Sequence, residues 1–291
     1  EFITMRIKDK PYRKKQKKAG KMRENMSKKF GLAVCASLIG FSIEVGAIEL
    51  VAHEATYEMG LLASGNDAKM TDIVGKTNFL MRKDCEGWIS SEDYLLEFAY
   101  DTGDSALLAS HFESWEELSG NLYSFEVDER STYEEEKQFN GYASIPPLTD
   151  KPVAYFSMQP DVALSLPEQV YFPIAHTKAL LERAEKGEKL FSANIFFGAE
   201  PDRAIKRTST VIGTRQDVEN EDVLGALANN SYYPVNIAYF DPNSVEAVPE
   251  YEITFHLQPN GVVAYYEVDY GDFAIDAKLT EVKPLSRPEC S

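Results

Sequence analysis

Four histidines, His53, His111, His176 and His256, are the residues best suited to acid–base or metal chemistry, and they lie far apart in the chain. A zinc site needs ligands at short, regular spacings, and no paired-histidine or Cys-x-x-Cys pattern occurs. His53-Glu54 begins like a zinc-protease helix but lacks the second histidine four residues after the first. No Gly-x-Ser-x-Gly elbow presents a serine nucleophile, and no glycine-rich loop cradles a phosphate. The acidic stretches "ESWEELSG" (113–120) and "DERSTYEEEK" (128–137) lack the alternating oxygens and central glycine of a calcium loop. They read as solvated, charged strand faces. Tyr265, Tyr266, Tyr270 and Phe273 are placed to line a ligand groove, although aromatic residues in a β core need no ligand. The sequence therefore offers no catalytic, cofactor-binding or metal-ligating set.

The elements that position these residues are mostly strands. In "LVAHEATYEMGLL" (50–62), Val51, His53, Ala55, Tyr57, Met59 and Leu61 alternate with a more polar set. A period of two is that of a half-buried strand, so His53 faces a core while Glu54 points the other way. This makes His53 a core histidine whose ring nitrogens find backbone or carboxylate partners. Further strands are expected at 94–100, 121–127, 152–158, 189–197, 209–213, 235–240, 250–257 and 261–282, all rich in Tyr, Phe, Val and Ile. Turn signals separate them, the strongest being Asn260-Gly261 in "HLQPNGVVAYYEV". One helix interrupts them. "FPIAHTKALLERAEKGE" starts with Pro173 and ends with Gly187, and Thr177, Leu180, Leu181 and Ala184 form one stripe that should rest on a sheet. Many short strands with close turns imply an antiparallel sandwich or barrel. A domain break at "ASIPPLTDKP" (143–152) is the alternative to one continuous β body, which is preferred.

The ends are distinct in character. Residues 1–25 are basic and without apolar period, and are set aside from fold reasoning. Residues 26–47 combine two lysines, a run of mostly apolar residues and a Val45-Gly46-Ala47 ending, the pattern of a Sec-type signal peptide with cleavage between Ala47 and Ile48. The run is short for a membrane span of roughly twenty residues. Cys35 would leave with the signal, so Cys85 and Cys290 remain. Two thiols in an exported chain invite one disulfide, with two buried free cysteines as the alternative. Removing residues 1–47 takes away 12 of 30 basic and 4 of 47 acidic residues, leaving 18 against 43 and a formal charge of −25. Such a surface repels phosphate backbones and anionic headgroups, so no nucleic-acid partner is expected.

Five segments in order, "LVAHEATYEMGL", "DCEGW", "HTKALLERAEKGEKLFSANIFFGAE", "YEITFHLQPNG" and "YEVDYGDFAIDAKLTEVKPLSRPEC", resemble the periplasmic envelope integrity protein B (EipB) family of alphaproteobacteria. The resemblance covers residues 48–291 and implies a single, exported, β-rich periplasmic domain. Its fold would be a curved open antiparallel sheet, a β-spiral or incomplete barrel similar to lipoprotein carriers, with one principal amphipathic helix. It implies a monomer with a Cys85–Cys290 disulfide and no catalytic residue or cofactor. The expected role is non-enzymatic support of envelope integrity through periplasmic protein partners. A carrier or binder of lipid or acylated protein is the alternative. Phe197-Gly198 stands where family members usually carry Asp-Gly after the helix.

Overall fold

A computed structural model of the 291-residue chain describes residues 48–65, 69–132, 135–217, 225–227, 231–245, 247–286 and 288–290. The basic extension, the signal-peptide segment with Cys35 and Ala47, and the tip of the 65–69 turn lie outside the described residues.

Alternating burial dictates the strands. The first half of the chain forms β1 (His53–Ser64), β2 (Met70–Lys83), β3 (Gly87–Tyr100), β4 (Ser105–Glu117), β5 (Leu122–Ser131), β6 (Lys137–Ser144), β7 (Val153–Phe156) and β8 (Gln159–Ser165). Each is antiparallel to the one before. After the short β9 (Val170–Tyr171) comes the helix α1 (Pro173–Glu185). The second half forms β10 (Leu190–Phe196), β11 (Ile205–Ile212), β12 (Gln216–Asp217), β13 (Ser231–Phe240), β14 (Tyr251–Leu257), β15 (Val263–Asp269) and β16 (Phe273–Pro284). β16 returns beside β1, with His53 opposite Pro284 and Ser64 opposite Phe273. One sheet thus runs β8-β7-β6-β5-β4-β3-β2-β1-β16-β15-β14-β13-β11-β10-β9, with β12 attached to β13. β9 pairs parallel to β10, unlike the antiparallel pairs elsewhere on this path.

The sheet is curved and does not close. Its terminal strands β8 and β9 are not paired to each other. The two arms instead meet through side chains: Tyr123, Phe125 and Phe156 of one arm pack with Val170, Phe172 and Phe196 of the other. Strands at opposite ends of a flat sheet would be tens of ångströms apart at about 4.8 Å per strand, so this contact requires the sheet to coil. Tyr123 donates a hydrogen bond to the Phe197 carbonyl at 2.8 Å. Gly198 follows at φ +74, and an added Cβ would fall 2.3 Å from the Phe125 ring. Only glycine allows that turn to lie on that ring.

Pro173 and Gly187 bracket α1 as the sequence indicates, with Gly187 at φ +75. The helix rests on the sheet as expected, and on both of its arms. Leu180, Leu181 and Ala184 share a core cluster with Met81 and Trp88 of β2 and β3 and with Phe191, Ile212, Val235 and Leu257 of the second arm. The helix is clamped within the coil because its apolar stripe is wider than expected, also taking in buried Ile174 and His176. The 143–152 stretch ends β6 and then forms a loop, 145–152, to its paired neighbour β7, so the sheet is continuous there.

Candidate functional site

β1, β2, β3, β14, β15 and the first turn of α1 surround an interior cavity of about 300 Å³. Strand alternation puts Tyr57, Phe79, Glu92, Phe255 and Tyr266 on its wall, with Thr177 presented by the helix. Tyr57 and Tyr266 meet edge to face at 5.4 Å. Tyr57 donates to the Val263 carbonyl at 2.8 Å, so its hydroxyl is already engaged. Of the aromatic residues singled out in the sequence, Tyr266 reaches this cavity, whereas Tyr270 and Phe273 stack on each other at 4.9 Å.

His53 lies at the cavity's edge and is 1% exposed. Its Nδ1 is 2.9 Å from the Val51 carbonyl oxygen and its ring packs on Phe79 at 5.6 Å. Burial lowers its pKa, only partly offset by the backbone hydrogen bond, so the ring is neutral. This is a packed, backbone-tethered side chain. The other histidines are equally dispersed. His176 stacks on Phe191 at 5.5 Å, and burial pushes its pKa down to about 4. His256 stacks on Tyr232 at 4.1 Å. His111 pairs with Asp93 at 2.7 Å, but the two side chains are 43% and 56% exposed on an outer face rather than at the base of a cleft. Among the described residues no group of three His, Cys, Asp or Glu is placed to hold a metal.

Glu92 is the acidic residue of the cavity wall. Thr77 Oγ1 donates to its Oε1 at 3.2 Å. Burial pushes the carboxyl up, the Thr77 bond pulls it down, and Asp93 adds to the rise. A second buried carboxyl, Glu116, corrects the reading of 113–120 as a wholly solvated face. It is 3% exposed and accepts the backbone N–H of Ile174 at 2.8 Å and of Ala175 at 2.7 Å. Phe172, at the N-cap, has no side-chain bond to offer, so β4 caps the helix instead. A contact between residues 58 positions apart leaves no local sequence signal. On the outside, β4–β7 form a groove in which Trp115, Tyr142 and Tyr155 stand beside Glu113 and Glu126.

Cys85 and Cys290 are joined by a disulfide, with Cα atoms 5.5 Å apart. Cys85 sits in the β2–β3 turn, where Asp84 accepts the Gly87 N–H at 2.6 Å and the Trp115 Nε1–H at 3.0 Å. The bridge spans 205 residues, for which chain entropy gives about 5 kcal/mol. Only the exposed tail beyond Leu285, itself bonded to Ala52, is held by the bridge. We therefore expect Cys85→Ser to lower the melting temperature modestly without loss of the fold. Reductant should reproduce the change in wild type and do nothing to the variant. A melt insensitive to both would show that the bridge contributes no stability. Ile48 is the first described residue, and Ala47 lies outside the described residues.

An open, coiled antiparallel sheet wrapped on one helix, with an apolar interior, defines a β-spiral, barrel-like class of protein. The EipB-like family model matches residues 44–286, and the chain belongs to that family. It is 26% identical over 251 residues, 85% of this chain and 89% of the relative, to the cell envelope integrity protein EipB of Brucella abortus (strain 2308). A crystal structure of a beta-barrel-like protein of a domain of unknown function from Brucella abortus superposes with a TM-score of 0.75 at 26% identity. The match covers 82% of this chain and all of the other. Among the described residues no helix is long and apolar enough to cross a membrane.

Proposed function

We propose that this protein supports cell-envelope integrity from the periplasm as a non-enzymatic binding protein, and that its interior cavity holds a small ligand of the lipid or acyl class. The apolar cavity is the observation that carries this reading. A cavity of about 300 Å³ lies at the lower end of ligand sites, roughly 300–1,000 Å³. It suits a short chain or one segment of a longer one, because α1 and the aromatic side chains fill much of the coil. The envelope role rests on the name of the Brucella relative and on family membership.

A second reading, action through a protein partner, is favoured by the outer groove, since exposed aromatic residues beside charged ones are typical of interface centres. One experiment weighs the two. Thr177→Trp should fill the cavity, and Tyr142→Ala should alter the groove. We expect Thr177→Trp to abolish the fluorescence gain of N-phenyl-1-naphthylamine bound to purified protein and to fail to restore detergent resistance to cells lacking the chain, while Tyr142→Ala does neither. Full rescue by Thr177→Trp and none by Tyr142→Ala would reject the cavity in favour of the partner surface.

A further inference from the structure

The charge inside the cavity is unbalanced. Among the described residues that line it, Glu92 is the one acid, and no lysine or arginine is present. Glu92 forms no ion pair among the described residues, and Thr77 is its hydrogen-bond partner. His53, on the same wall, is held neutral by burial and turned to the Val51 carbonyl. A carboxyl taken out of water without a counter-charge is unfavourable, and its removal from the interior by substitution would relieve that strain. The walls around it are aromatic: Tyr57, Phe79, Phe255 and Tyr266. Aromatic faces carry negative potential and attract ammonium groups. An acid and a set of aromatic rings in one cavity are complementary to an organic cation and repel an anion.

Resting on the reading of the cavity as a ligand site, we propose that it takes an amphiphile with a positively charged ammonium head, which meets Glu92 while its apolar tail lies against Phe79, Met81 and Phe255. The ammonium supplies the counter-charge that the protein omits. Anionic headgroups are disfavoured twice, by Glu92 and by the acidic surface of the chain. The ligand also completes the electrostatics of the site, since a cation beside Glu92 favours its ionised form.

Calorimetric titration of purified protein with octyltrimethylammonium, octanol and octanoate tests the head at constant tail. We expect the cation to bind at least about tenfold more tightly than the alcohol, a difference of about 1.4 kcal/mol, and octanoate to bind most weakly. Octylphosphocholine separates two sources of the same chemistry. Binding like the simple cation identifies a zwitterionic lipid head, and failure to bind identifies an ammonium head without an attached phosphate. Glu92→Gln should remove the cation preference, whereas Glu54→Gln, exposed on the outer face of β1, should keep it. Cation affinity should rise with pH as Glu92 ionises, above the usual carboxylate range, and lose that rise in Glu92→Gln. The groups facing Glu92 are His53 and Tyr57 from β1, Tyr94 from β3, and Tyr266 and Tyr270 from β15 and its end; burial lowers the His53 pKa and raises those of the tyrosines, so none of them gains charge as the pH rises from neutrality to pH 8. Asp93, on the opposite face, pairs with His111 at 2.7 Å. Equal or tighter binding of octanoate or octanol to wild type overturns the proposal without relying on any variant. Binding of none of the four would instead overturn the cavity as a ligand site.

Discussion

Glu116→Ala should lower the stability of the folded chain by about 2–5 kcal/mol, because two buried backbone N–H groups at the start of α1 lose their acceptor and each such loss costs about 1–3 kcal/mol. Glu116→Gln should cost less, since one amide oxygen still accepts. The two effects separate further with pH. Burial pushes the Glu116 carboxyl up to about 7, although the Ile174 and Ala175 bonds and Lys178 pull it down. A folded-state pKa above the unfolded value of 4.5 means that the folded chain holds the proton more tightly, so this group adds stability as pH falls from about 7 towards 4.5. His176 acts in the opposite sense. Its pKa is pushed down to about 4, so the unfolded chain takes up a proton first and stability falls as pH drops below 6.5. Glu116→Gln removes the Glu116 contribution and keeps every other, so it should lose about 2 kcal/mol relative to wild type on going from pH 7.5 to pH 5. Urea denaturation of both proteins at the two pH values measures this. An unchanged difference between them would show that Glu116 does not titrate in that range.

Leu181→Ala is the second large effect. Leu181 is fully buried at the point where α1 touches both arms of the sheet. Deleting a leucine side chain from such a site costs about 3–5 kcal/mol, the transfer of the lost methylenes plus the cavity left behind. Leu190, at the start of β10, is 73% exposed, so Leu190→Ala should cost almost nothing. Similar midpoints for the two variants in denaturant would mean that the helix can leave the coil without disturbing it.

What the sequence made legible follows from how local each signal is. The alternation at 50–62, the Asn260-Gly261 turn and the Pro173–Gly187 bracket each act within a few residues, and β1, the β14–β15 hairpin and α1 stand where they were expected. β2 was not read as a strand, and β4 only as a charged strand face at 113–120. β2 carries Gly75 and Thr77 among the apolar residues of its inward face, and β4 carries Ser110, Ser114 and Glu116, so burial there is only partly announced by apolar side chains. The mainly β character came from the strand-like segments themselves, whereas the open and curved form came from the family resemblance, since alternation alone gave a sandwich or barrel. The cavity was legible only in part. Tyr266 was noticed, but Glu92 was not, because strands distant in sequence assemble its neighbourhood. The Gly198 turn, where the chain departs from the family's usual Asp-Gly, keeps the positive φ and supplies the close contact with Phe125.

The pairing of β1 with β16 places the first and last strands among the described residues side by side in the middle of the sheet, while strands between them in sequence supply both edges. This has a consequence for the order of assembly. A chain made from its N-terminus can build β1 to β8 as a meander, each strand adding to the last. The free side of β1 must then wait for β16, which begins at Phe273 and is the last strand of the sheet to become available when the chain emerges N-terminus first. During that interval an alternating, half-apolar strand is an open template for wrong partners. β16 both covers it and leads to Cys290, so closing the central seam brings that thiol within reach of Cys85.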